Sequence, residues 1–564
     1  MPPSTRFTKA ALAAVVAVVV CAGIAGVATS ASASHSAGTA VTAITTAWPA
    51  DVTTLDVQNL STDQDHELTR NVYQTLISPK FTVDSHGSLI WKDDSFVPVL
   101  AKSWTLGKTS VTFHIRPGVK FYPSGNPLTA ADVKWSLDRL WATPGVGDMQ
   151  ANGVQKPSQI VVVDPMTVRI DFKDAKGKPQ QATPTLMAIY REHFAGIVDS
   201  VEALKHATPS DPTAAKWLTN NVVGTGPYYI ASRSPGVSID LKAVPNFWQP
   251  APSYSEVQIR ITTASIASLM QGGSVNVGEY GMTTQQLNGL QKSGIQVVHA
   301  NTPEFMMFAI AADPGAGPLH DQRVRQAIGY ALPYSQIQNN VFFGRATRDL
   351  SIVNAQAPEY TPAWAMYKLN MAKAKSLMAA AGNPKVTVPL LYLANNTDQQ
   401  SSALLIQSNL KKLGITANLS PVTQAGMFGA LDARSTPPKG AKIGPPGLVL
   451  FNWSPWKTDP KIVIGYWATT GGINNYSLWS SPVVDAVDKQ WGLKPPSAQR
   501  TAAYRKAQKV IALGAANLPI INTGRNTALT KDVTGASFGP GGGMRFWTLH
   551  PTGQSSALDA FYTS

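Results

Sequence analysis

The chain has 564 residues, with 47 Lys+Arg against 33 Asp+Glu and a single cysteine. Its 44% hydrophobic content is enough for a large core, which excludes disorder, and the length suits roughly three or four domain-sized units. One cysteine excludes a disulfide framework and every CxxC-type zinc or redox site, and the net charge of +14 raises the question of a nucleic-acid partner.

The amino terminus reads as an export signal. Arg6 and Lys9 precede an apolar run over residues 10–28, and Ala31-Ser32-Ala33 has the A-x-A pattern cut by a signal peptidase. The run is rich in Ala and Val with two Gly, weak for a permanent span, so cleavage is favoured over an uncleaved anchor. Cys21 follows Val20, whereas a lipoprotein site wants a small residue there, so a lipid anchor is disfavoured. Cleavage after Ala33 removes the only cysteine and lowers the net charge from +14 to +12. The remaining basic residues are scattered, with no basic run and no aromatic-interleaved groove, which argues against nucleic acid.

Further along, residues 40–46 alternate as a strand and 67–77 read as a helix. Val111, Phe113 and Ile115 alternate with polar neighbours as a half-buried strand. Thr129-Ala130-Ala131-Asp132 is a capping box, with Val133, Leu137, Leu140 and Trp141 following at helical spacing. Asp164-Pro165 separates strands over 159–163 and 167–172 as a hairpin turn. Val324, Ala327, Ile328 and Ala331 form a helix face stopped by Pro333, and Asn370 opens another helix that Gly382 ends. A strand over 386–393, a helix over 403–413 ended by Gly414, and a strand over 415–419 make a βαβ unit. The stretches 437–447 and 539–543 read as loops.

No metallohydrolase or nucleotide-loop signature is present. His66-Glu67 begins like a zincin motif but lacks the second histidine, and no Walker loop occurs. Gly224-Thr225-Gly226-Pro227 reads as a tight turn, because a dinucleotide loop needs a third glycine and a helix start. The chain is read as a non-enzyme with neither cofactor nor metal.

Several segments together resemble the solute-binding proteins of ABC importers, extracellular family 5, which includes peptide-, nickel- and oligosaccharide-binding members. Residues 98–104, Pro-Val-Leu-Ala-Lys-Ser-Trp, resemble that family's entry motif, and Phe113-His114-Ile115-Arg116-Pro117-Gly118-Val119-Lys120-Phe121 its following strand. Leu128-Thr129-Ala130-Ala131-Asp132-Val133, Gly224-Thr225-Gly226-Pro227-Tyr228, Asn246-Phe247-Trp248 and 323–328 follow in the family's order. The segment around Trp453, Asp459 and Pro460 and the late strand at Leu518-Pro519-Ile520 complete the series. The resemblance implies an α/β, periplasmic-binding-protein-like two-lobed fold with a hinge and an extra domain. Domain I would comprise 34–77, 220–302 and 523–564, domain II 78–219, and the second lobe (domain III) 303–522.

By the same resemblance, the protein is expected to be an exported monomer in the periplasmic space or cell envelope. It would capture a peptide-like or oligosaccharide-like solute between its lobes and deliver it to a membrane permease, with no nucleic acid involved. The family's peptide binders hold the ligand's amino group with an aspartate three residues after the tryptophan of the late loop. Here Trp453 is followed at that position by Trp456. A buried ammonium without a carboxylate costs several kcal/mol, which cation–π attraction of about 0.5–2 kcal/mol offsets only in part. Trp453 and Trp456 suit stacking on a ligand face. Asn475, Tyr476, Asn59 and Asp459 are the further candidates. An exported hydrolase or a surface receptor on the same scaffold are the alternatives.

Overall fold

The computed structural model describes residues 43–563, apart from 85–86, 144, 301, 438, 456 and 540–541. The signal segment, Cys21 and Trp456 lie outside the described residues.

Two large sheets organise the chain. The first has seven strands in the order Gln296–Ala300, Arg525–Leu529, Val277–Gly278, Ala43–Trp48, Glu256–Ile261, Ser238–Ala243 and Tyr228–Ser234. The second has six, Thr347–Arg348, Asn517–Asn522, Phe305–Ile310, Leu448–Trp453, Val386–Leu393 and Ile415–Val422. A separate antiparallel sheet of Ala101–Leu106, Ser110–Ile115, Thr167–Asp171 and Ile160–Asp164 adds to the first lobe. Each lobe has its own apolar core. One is built around Trp48, Phe113, Tyr190 and Tyr228, the other around Trp364, Tyr367, Trp467 and Tyr504. This is the mixed α/β, periplasmic-binding-protein-like architecture expected.

Local signals produce the expected elements, with shifted ends. Thr129 caps the helix Ala130–Asp138, and its backbone N–H donates to Asp132 Oδ2 at 2.8 Å. The hairpin turns between Ile160–Asp164 and Thr167–Asp171, paired antiparallel. Strands Val386–Leu393 and Ile415–Val422 pair in parallel across the helix Thr397–Lys411. That helix starts six residues before the expected position because Asn396 accepts from the Gln399 N–H at 2.9 Å.

The first helix runs Asp63–Val72 instead of 67–77. At its N-terminus Asp65 accepts from the N–H groups of Ser61 and Thr62 at 3.1 and 3.0 Å, a capping box with Thr62. Its C-terminus is set by the Gly224-Thr225-Gly226 turn, whose Gly226 N–H donates to Val72 O at 3.1 Å. A Cβ at Gly224 would lie 2.2 Å from Val72 O, and one at Gly226 would lie 2.4 Å from Val72 C. Only glycines permit this approach, which uses up a carbonyl that one more helical turn would have needed.

Candidate functional site

The chain crosses between the two large sheets twice, side by side. Ala300 pairs with Arg525 in the first sheet, and Phe305 pairs with Asn522 in the second. The two crossings are tied by Thr523 N–H to Glu304 O at 3.1 Å and Asn522 Nδ2 to Thr302 O at 3.1 Å. Gly524 lies here at φ +55, where a Cβ would stand 2.5 Å from Ala300 O. Two adjacent short crossings between independent cores make a hinge.

Beside the hinge, the strand ends at Leu393, Trp453, Phe305 and Asn522 lie along one edge of the second sheet. That edge faces the start of the Asp63–Val72 helix, the segment after Val277–Gly278, and Arg525. Two cavities occupy the cleft and share walls at Asp63, Glu304, Asn396, Asn452, Thr523 and Arg525. One, of about 410 Å³, is floored by Met427, Phe428, Phe451 and Trp453. The other, of about 270 Å³, is lined by Glu279, Thr284, Arg345, Asp398 and Asn526. A chamber with an aromatic floor beside a charged one, at the strand ends of the second sheet, is a solute-binding arrangement.

Electrostatics at the shared wall are ordered around Arg525. Its Nη1 donates to Glu279 Oε1 at 2.6 Å and its Nε to Glu304. Burial opposes the Arg525 charge, but Glu304 and Glu279 outweigh it and hold the guanidinium well above its ordinary range. Burial pushes the Glu304 carboxyl up despite Arg525. Behind this pair Glu67 is also pushed up, by burial and then by Glu279, while accepting from Trp48 Nε1 and the Met544 N–H at 3.1 and 3.0 Å. His66 is lowered to about 4 by burial and then by Arg70, so it faces the cleft as a neutral ring at pH 7. The His66-Glu67 pair is therefore a cleft wall and a core anchor.

The lobes touch on both sides of the cleft. Thr458 donates to Asp93 Oδ2 through its N–H at 2.6 Å and its hydroxyl at 2.5 Å. Lys457 Nζ donates to Thr185 O at 2.7 Å, and Tyr466 to Asp148 Oδ1 at 3.0 Å. Across the cleft, Thr284 Oγ1 donates to Asp398 Oδ2 at 2.7 Å. Burial disfavours the Asp93 charge, but Arg191 and Thr458 prevail and hold the carboxyl below its usual range.

Of the candidates from sequence, Trp453 lines the larger cavity, its ring edge-on to Phe305 with centroids 5.9 Å apart. Asn475 is buried, with its Nδ2 donating to Thr469 O and Trp479 O, so its amide shapes a loop. Tyr476 is buried against the Arg434 guanidinium. Asp459 caps the helix Pro460–Trp467 and pairs with Arg500 at 2.7 Å. Asn59 is exposed, its N–H bound to Asp56 O. None of these four lines either cavity. Asp63, Glu304, Asn396, Asn452 and Arg525 escaped the sequence reading. Each is a single polar residue at a helix start, a strand end or a crossing, and only the tertiary fold brings them together.

Comparison with known proteins gives the class. The profile of the bacterial extracellular solute-binding proteins, family 5, matches residues 95–475. The chain is 25% identical over 498 residues to a probable D,D-dipeptide-binding periplasmic protein, DdpA, of Escherichia coli K12, covering 87% of this chain and 90% of that one. It is 26% identical over 520 residues to the glutathione-binding protein GsiB of Salmonella paratyphi A, covering 89% and 91%. The solved structure of the periplasmic binding protein DppA from Helicobacter pylori with peptide STSA aligns at TM-score 0.73 and 19% identity, over 90% of this chain and 98% of that one. The chain belongs to the family 5 extracellular solute-binding proteins. It is an extracytoplasmic binding protein of the ABC-importer type, and its relatives bind solutes rather than transform them.

Proposed function

We propose that the cleft takes a peptide-like solute, whose ammonium group is held at Asp63 and Glu304 and whose apolar side chain rests on Trp453, Phe428 and Met427. The observation that carries this is the shared wall, where Asp63 and Glu304 border both the chamber with the aromatic floor and the charged one. A ligand ammonium there would find a carboxylate partner although position 456 is tryptophan. Arg345, on the far wall of the charged chamber, is placed for the solute's carboxylate. Relatives named for D,D-dipeptide and glutathione binding support the same ligand class. An oligosaccharide-like solute is the second reading, favoured by the Trp453 ring at the cavity wall.

In the same reading the chain is exported, cleaved after Ala33, free of a lipid anchor and monomeric, and it delivers its solute to a membrane permease. Domain I (34–77, 220–302, 523–564) and domain II (78–219) form the first lobe, and 303–522 the second. Trp456 is proposed as a further stacking residue.

Calorimetric titration of the mature protein with free and N-acetylated dipeptides, and with oligosaccharides, tests this. Free dipeptides should bind about 10–100-fold more tightly than their acetylated forms, the loss of one charge-assisted contact. Trp453→Ala should weaken both. Equal binding of free and acetylated peptides would rule out the ammonium site.

A further inference from the structure

A further cavity lies inside the first lobe, away from the cleft. It has a volume of about 60 Å³ and is lined among others by Thr69, Arg70, Tyr73, Arg191, His193 and Arg545. That is room for a few waters or one small ion. Its walls are rich in donors. The Arg545 side chain is 6% exposed, packs over the Phe81 ring at 5.0 Å, and has its Nη1 without an acceptor. Among the described residues no carboxylate lies within ion-pair distance of Arg545.

His193 adds a second donor. Arg70 Nη2 stands 2.9 Å from His193 Nδ1, and a guanidinium can only donate, so Nδ1 accepts and the proton sits on Nε2. That Nε2 is buried and has no partner either. Neighbouring Gln74 and Arg191 are bonded, while Tyr73 Oη on the same wall and Glu192 Oε2 have no partner. Gln74 is bonded to Trp248 and Gln249, and Arg191 to Asp93 and Glu192.

We propose that this cavity is a structural anion site that takes one small monovalent anion of the chloride type, held by Arg545 Nη1 and His193 Nε2. The ion supplies the acceptor that both buried donors lack. Without such a partner, burial and then Arg70 hold the Arg545 guanidinium down at about 9. The site is joined to the cleft by one helix. Asp63 and His66 in the first turns of Asp63–Val72 line the cleft, and Thr69 and Arg70 in its last turns line the cavity. The His66 and His193 rings meet edge-on at 4.2 Å. The inference does not rest on the identity of the solute.

Crystals of the mature protein soaked in sodium bromide should show an anomalous peak in hydrogen-bond contact with both Arg545 Nη1 and His193 Nε2. Thermal melts at fixed ionic strength should rise by about 1–3 °C when chloride replaces gluconate, an anion too large to enter. Arg545→Met should abolish that difference. Density without anomalous signal at this position, together with equal melting in the two salts, would mean that water alone fills the cavity and would overturn the proposal. If Arg545→Met does not fold, the bromide peak in the unaltered protein decides.

Discussion

The Thr458–Asp93 contact joins the lobes at a point that opening of the hinge must break. Replacing Thr458 with valine keeps its volume and its N–H bond to Asp93, and removes only the hydroxyl that donates to Oδ2 at 2.5 Å. Asp93 stays paired with Arg191 at 2.5 Å, so the first lobe keeps its buried charge balance. A hydrogen bond to a charged group is worth about 1.5–3 kcal/mol. Because it exists only when the lobes are together, that energy falls on the closed state alone and passes into the apparent affinity for any solute that requires closure. At 1.4 kcal/mol per decade, Thr458→Val should weaken solute binding about 10–100-fold, with little change in the melting point of the free lobes. Calorimetric titration gives the affinity, and small-angle scattering gives the lobe separation before and after solute. Unchanged affinity together with an unchanged scattering profile would refute the idea that this contact holds the closed form.

Three further outcomes are expected. Gly524→Ala puts a Cβ 2.5 Å from Ala300 O at φ +55, and should destabilise the protein by about 1–3 kcal/mol or more in urea unfolding. Arg500→Met leaves Glu359 and Asp459 buried without their shared cation, and should cost the second lobe about 3–5 kcal/mol in the same assay. Burial raises the Asp349 carboxyl from 3.8 to about 7, so between those values the native state holds a proton that the unfolded chain has released. Stability therefore falls as pH rises through that window, and Asp349→Asn should gain about 2–4 kcal/mol over the parent at pH 8 while matching it near pH 4.

Part of the architecture was legible because it depends on neighbours in sequence. The Thr129-Asp132 capping box, the hairpin at Asp164-Pro165 and the βαβ unit from Val386 are local, set by side chains a few residues apart. The motifs around Trp104, Gly118 and the Gly224 turn were specific enough to indicate the family. The first helix was misplaced because its end is set by Gly226, about 150 residues away along the chain, through a carbonyl contact that no periodicity encodes. Asn475 and Tyr476 had the right chemistry for a ligand, yet their polar atoms and rings are taken up by a loop and by Arg434.

By itself the sequence determined the class of the protein: a basic but unclustered chain, two α/β lobes and the ordered motifs of a solute-binding family. Tertiary structure alone decided the site. Asp63, Glu304, Asn452 and Arg525 come from four distant segments and meet only because two adjacent crossings fold one sheet edge onto the other. A binding surface between lobes is a property of long-range packing, and single polar residues at strand ends carry no local pattern that could announce it.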